Sequence, residues 1–130
     1  YNAIGCMFAF HYLQRDEIYG VLNGVSAALP QGAYFYGIVP EQGRVRAFRA
    51  NSLCTIEVVD DSKYLFSLKD TLENSHEYFV SRDHLKREAG RCGLELVMWA
   101  PLDQWWLPYE LNEEERAIAN LYVTFAFYKI

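Results

Sequence analysis

Ala3-Ile4-Gly5-Cys6-Met7-Phe8-Ala9-Phe10-His11-Tyr12 is the stretch that decides the fold, because here an apolar run breaks abruptly into a polar loop. The run from Ala3 to Phe10 is nearly continuous in its hydrophobicity, as a strand covered on both faces of a parallel sheet is. In open α/β sheets ligands lie outside the carboxyl ends of the strands, which places His11 and Tyr12 at a ligand edge. A His-Tyr pair after a strand also serves as ordinary structure, so the rest of the chain must decide.

Working outward, Gln14-Arg15-Asp16-Glu17 is a polar loop in which Asp16 can cap a helix running to about Leu29. Ile18, Val21, Leu22, Val25 and Leu29 share one face of that helix, and Pro30-Gln31-Gly32 stops it. Ala33 to Val39 is a second buried strand ending at Pro40, so strand, helix and strand form one βαβ unit with a parallel pair. Arg44, Arg46 and Arg49 follow on a short helical or irregular segment, either a solvated face or a set of cations for phosphates. Residues 53–59 and 64–68 then alternate across Asp60-Asp61-Ser62-Lys63 like a hairpin, an interruption of the α/β rhythm.

Ser81 and Asp83 open a helix that reaches Cys92 and closes on Gly93 as a left-handed cap. Leu94 to Trp99 is the next strand. The segment from Ala100 to Leu111 carries Pro101, Trp105, Trp106 and Pro108 and reads as an irregular lid or loop, its tryptophans closing an apolar seam or stacking on a base. Asn112 followed by Glu113, Glu114 and Glu115 starts a helix, since carboxylates favour the positive end of the helix dipole. Leu121 to Lys129 is a final strand.

With 130 residues the chain suits one domain, and its 52% hydrophobic and 16% aromatic content argues for a packed core. A formal net charge of -5 excludes a basic protein that coats nucleic acid, so any nucleic-acid contact must be local. Cys6, Cys54 and Cys92 are widely spaced and lack a C-x-x-C pair, which fits free thiols in a reducing compartment rather than a disulfide or zinc framework. No metal site is expected. The apolar opening is too short for a membrane span and lacks the basic flank of a signal peptide, so a soluble intracellular protein without membrane attachment is expected.

Several of these segments, in order, resemble the eukaryotic and viral messenger-RNA cap (guanine-N7) methyltransferases. Their Phe-x-x-His-Tyr motif resembles Phe8-Ala9-Phe10-His11-Tyr12, and their Leu-x-Pro-Gly-Gly-Tyr-Phe-x-Gly-x-x-Pro turn is similar to Leu29 through Pro40, with one residue more before the glycine and Ala33 for the second glycine. Tyr64-Leu65-Phe66-Ser67-Leu68 is similar to a Tyr-x-Phe-x-Leu strand. His76-Glu77-Tyr78-Phe79-Val80 resembles the Pro-Glu-Phe-Leu-Val segment that carries the family's cap-binding glutamate, and Tyr122 to Lys129 resembles its closing strand.

The resemblance implies a class I (Rossmann-like) S-adenosylmethionine-dependent methyltransferase fold, the carboxyl-terminal half of a seven-stranded sheet with an inserted hairpin. Its closing strand, Leu121 to Lys129, would lie antiparallel beside the strand starting at Leu94. It implies guanine contacts from Phe8, His11, Tyr12, Pro40, Glu77 and Tyr122, and S-adenosylmethionine contacts from Met7, Phe8 and Tyr12. Met7 stands where the family has Gln. The implied partners are the capped 5′ end of RNA, a cofactor-binding amino-terminal half or partner chain, and a capping enzyme, in the nucleus or, for a viral source, the cytoplasm.

The residue types suit that chemistry. Guanine presents an acceptor at O6 and donors at N1 and N2, so a selective pocket sets a donor against the first and a carboxylate against the others, as His11 and Glu77 would. Aromatic faces such as Phe8, Tyr12 and Tyr122 then hold the flat purine, at about 1–3 kcal/mol per base. Guanine N7 carries a lone pair and no proton, so methyl transfer needs orientation rather than a general base, and no acid–base residue is expected. Taken alone, Glu77 also reads as a solvated loop carboxylate, and Phe8 and Tyr122 as core aromatics. His76 and His84 are expected at the surface.

The glycine-rich turn, the acidic residue and the further contacts by which class I methyltransferases hold the cofactor have no counterpart in this sequence. The chain alone is therefore expected neither to bind S-adenosylmethionine nor to fold cooperatively, and to leave part of its sheet uncovered. A non-catalytic, methyltransferase-like subunit that grips capped RNA or stimulates a partner is the alternative, and a small-molecule methyltransferase a third.

Overall fold

A computed structural model describes residues 3–7, 10–102 and 111–130. Strand β1 (Ala3–Met7) leads through two 3-10 turns, Phe10–Tyr12 and Arg15–Glu17, into helix α1 (Ile18–Ala28) and strand β2 (Tyr34–Pro40). There follow α2 (Gln42–Ala47), β3 (Cys54–Val58), β4 (Lys63–Leu68), β5 (Leu72–Tyr78) and α3 (Arg82–Arg91). Strand β6 (Leu94–Pro101), helix α4 (Glu113–Ala119) and strand β7 (Tyr122–Lys129) close the chain.

The main sheet has the order β1-β2-β7-β6. β1 and β2 are parallel, as the βαβ unit requires, and β7 is inserted antiparallel between β2 and β6. The closing strand thus lies where the sequence put it, antiparallel beside the strand from Leu94.

One face of this sheet is the core. Phe35 and Val39 of β2 and Val123, Phe125 and Phe127 of β7 point into it, and α1 and α3 cover it. The buried stripe of α1 is Ile18, Leu22 and Ser26, continued by Leu29, at the spacing of a helix face. Val21, expected on that face, is exposed, since the stripe turns past it. Ser26 is tolerated inside because its hydroxyl donates to the Cys92 carbonyl at 2.5 Å and its own carbonyl accepts from Lys129 Nζ at 2.9 Å. The other face of the sheet carries Tyr34, Tyr36 and Val97 exposed.

Four local expectations are corrected. Within the described residues the first strand stops at Met7, and Phe10 belongs to a 3-10 turn whose ring is locked edge-on against Phe35 and Phe125. Asp16 does not cap α1; the Glu17 carboxylate instead accepts from the Gln14 amide at 2.8 Å and sets the preceding 3-10 turn. The inserted hairpin is a three-stranded antiparallel sheet, β3-β4-β5, because β5 adds to the expected pair. His84 is buried rather than on the surface, with Nε2 3.2 Å from the Arg15 carbonyl.

Other signals act as written. Ser81 caps α3 through the His84 amide, Gly93 closes that helix at φ +77, and Asn112 caps α4 through the Glu115 amide. The inserted sheet packs Cys54, Tyr64 and Phe66 against Val45 of α2 and Leu121, a second core beside the first. That placement brings the end of β5 to the Phe10–Tyr12 turn.

Candidate functional site

The site forms at the carboxyl ends of β1 and β2, where β7 begins. Pro40, the last residue of β2, pairs in register with Tyr122, the first of β7. The 3-10 turn after β1 buries His11 to 3% exposure while leaving the next side chain, Tyr12, 50% exposed. The two rings lie against each other, centroids 4.2 Å apart.

Glu77 reaches the same place from the inserted sheet. Register pairs Glu77 of β5 with Tyr64 of β4, so both side chains leave the same face, and both are buried. The Tyr64 phenol donates to Glu77 Oε1 at 3.0 Å. His11 Nε2 stands 3.9 Å from the same oxygen, too far for a hydrogen bond.

Burial sets the charge states. It pulls the His11 imidazole down from 6.5 to about 4, so the ring is neutral beside Glu77 and the contact is no ion pair. It pushes the Glu77 carboxyl up, against the opposing effect of hydrogen bonds from Tyr64 and Ser75. The Tyr64 and Tyr122 phenols are pushed up by burial and then by the Glu77 charge, and the Cys54 thiol rises to about 11 for the same two reasons. Glu77 has no cationic partner among the described residues, and His11 Nδ1 is buried with no hydrogen-bond partner. A buried carboxylate without a cation and an orphaned ring nitrogen are both costly unless a ligand completes them.

Of the residues expected to bind guanine, His11, Tyr12, Pro40, Glu77 and Tyr122 are therefore gathered at one end of the sheet. Phe8 lies outside the described residues, as do Trp105 and Trp106. Met7, expected on the cofactor side, ends β1. Tyr64 and Cys54 were missed. The signal for Tyr64 was present, since Tyr64 and Phe66 alternate on the buried face of β4, but its partner on β5 was not read as a strand residue.

Arg46 is already engaged: it donates to the Asp61 carbonyl at 2.8 Å and lies over the Phe79 ring. Among the described residues no cluster of His, Cys, Asp and Glu can hold a metal, and no helix is long and apolar enough to cross a membrane.

No protein-family model and no curated protein matches the sequence. Solved structures do match in fold. The CcbJ methyltransferase from Streptomyces caelestis gives a TM-score of 0.59 at 16% identity, over 100% of this chain and 61% of that one. An S-adenosylmethionine-dependent methyltransferase from Clostridium acetobutylicum gives 0.63 at 11% identity, over 98% of this chain and 58% of that one. The glycopeptide N-methyltransferase MtfA, complexed with S-adenosyl-L-homocysteine, gives 0.58 at 10% identity, over 100% of this chain and 55% of that one. The chain has the class I, Rossmann-like methyltransferase fold and spans somewhat more than half the length of these three structures.

Proposed function

We propose that this chain forms the guanine-binding part of an S-adenosylmethionine-dependent methyltransferase that methylates N7 of the 5′ cap guanine of RNA. The observation that carries the reading is the buried meeting of His11, from the 3-10 turn after β1, with Glu77, from β5 of the inserted sheet, beside the exposed ring of Tyr12. Glu77 would accept from guanine N1 and N2, His11 would donate to O6, and Tyr12 and Tyr122 would flank the ring. Phe8 and Pro40 would complete the enclosure.

S-adenosylmethionine would supply an electrophilic methyl group. The described residues fit one wall of its site: Tyr12 offers a half-exposed aromatic face at the end of β1, whereas no described strand is followed by a glycine-rich turn. The rest of the cofactor site would come from an amino-terminal portion or a partner chain. What His11, Tyr12 and Glu77 do is fix the purine plane so that the N7 lone pair faces the donor. Glu77 also lowers the energy of the positive charge that the purine ring gains.

A small-molecule or peptide substrate is the second reading, favoured by the glycopeptide N-methyltransferase among the similar structures. A non-catalytic cap-binding subunit would bind guanine nucleotides without transferring methyl. Titration of the protein with GTP and ATP, followed by assay for N7-methylated product with S-adenosylmethionine in the full-length protein, separates the three. Preferred binding of GTP with N7 methylation is expected. Equal affinity for GTP and ATP would overturn the guanine assignment, and GTP selectivity without product would make the chain a binding subunit.

A further inference from the structure

We propose that the groove between α2 and α4 is a second nucleic-acid subsite, taking the phosphates and first nucleotide of the RNA that follows the cap; the proposal rests on the guanine reading above. The groove is a cleft of about 360 Å³ whose walls include Arg44, Phe48, Arg49, Asn120 and Leu121. Its floor adjoins the base site. Leu121 immediately precedes Tyr122, its carbonyl accepts from the Glu41 amide at 2.9 Å, and Phe48, Leu121, Tyr64 and Tyr122 pack in one apolar cluster.

The chemistry of the walls is that of a nucleotide site. Arg44 is held in place, its Nη1 donating to the Asn120 carbonyl at 3.0 Å. Arg49 is exposed and has no hydrogen-bond or ion-pair partner among the described residues, in a chain whose formal net charge is -5. An arginine left unpaired in an acidic protein keeps its planar donors for an anion, and phosphate matches them bidentately. Phe48 supplies an aromatic wall for a base, and Asn120 Oδ1 is buried with no hydrogen-bond partner, an acceptor for a base amino group. Capped RNA joins its guanosine to the next nucleoside through three phosphates, so the strand must leave the base site carrying dense negative charge. The groove beside Tyr122 offers the cations to receive it.

The test is fluorescence anisotropy of the full-length protein with a short capped RNA and the same RNA bearing a 5′-triphosphate, each labelled at its 3′ end, over a range of salt. Arg49→Glu should weaken both RNAs about tenfold, the value of one charge-assisted phosphate contact. It should lower the salt slope by about one. Arg49→Lys should keep most of the affinity, and GTP binding should not change in either variant. Wild-type RNA affinity and salt slope in Arg49→Glu would overturn the proposal, as would failure of the wild-type chain to bind either RNA. A loss for GTP as large as that for RNA would place Arg49 in the base site and overturn it too. Should the wild-type chain bind both RNAs equally while Arg49→Glu weakens both, the groove stands and the guanine assignment falls.

Discussion

Replacing Glu77 by glutamine keeps the volume of a side chain only 3% exposed and changes its hydrogen-bonding character alone. A carboxylate accepts at both oxygens, whereas an amide accepts at one and donates at the other. The Tyr64 phenol, 3.0 Å from Oε1, fixes the amide oxygen on its side and turns the NH2 toward the ligand. Donor then meets donor at guanine N1 and N2. Two hydrogen bonds to a charged acceptor are lost, at about 1.5–3 kcal/mol each. The affinity for GTP should fall by roughly 10²–10⁴, and selectivity should shift toward ATP, whose N1 accepts. Stability should move the other way. Burial raises the Glu77 carboxyl above its ordinary value, so the folded chain holds that proton more tightly than the unfolded chain. The resulting stability is complete in acid and is lost as the pH rises through the raised pKa. Glutamine removes this loss, and at neutral pH the variant should melt no lower than the parent. Thermal melts of the full-length protein by circular dichroism together with GTP and ATP titrations read both effects. A normally folded Glu77→Gln chain with undiminished GTP affinity would refute the reasoning.

His11 should leave the opposite mark on acid stability. Its pKa falls from 6.5 to about 4 on folding, so its contribution is whole above 6.5 and is lost as the pH falls toward 4. That amounts to about 3 kcal/mol at 1.36 kcal/mol per unit, and His11→Asn should show a correspondingly flatter melting curve over that range. An identical acid dependence in both proteins would mean that the imidazole is solvated. Tyr64→Phe removes the donor to buried Glu77 Oε1 and should cost about 1–3 kcal/mol in urea unfolding at neutral pH. The cost should shrink in acid, where Glu77 is protonated; a pH-independent cost would assign it to packing instead.

The main sheet was legible because its strands are apolar enough to be recognised one at a time. Tyr34 to Pro40 and Tyr122 to Lys129 are bounded by turn and cap residues, and their order followed from the βαβ rule together with a family resemblance. Caps at Ser81 and Asn112 and the positive-φ position of Gly93 could be read for the same reason: each is a local requirement met by a local residue. Asp16 and Val21 were misread because a cap and a helix face depend on where the helix starts. The 3-10 turn at Arg15–Glu17 moved the N-cap by one residue, to Glu17, and the buried stripe runs through Ile18, Leu22 and Ser26, which leaves Val21 at its edge.

β5 was the harder case, and it carries Glu77, the residue on which the proposed function turns. Leu-Glu-Asn-Ser-His-Glu-Tyr has no apolar alternation, since Glu77 is the only one of its seven residues that is buried. An edge strand held by backbone pairing to β4 needs no apolar pattern of its own. Hydrophobic periodicity therefore cannot find it. The one side chain it buries is the polar one that a core would reject, and Asp70 and Asn74, both at positive φ, turn the chain about its start. Folding tolerates that carboxylate because Tyr64 donates to it, yet no cation neutralises it among the described residues. The strand looks like a loop in sequence because its pairing is made by backbone and its single buried side chain is polar; under the proposed function, that side chain is placed for a ligand rather than for the core.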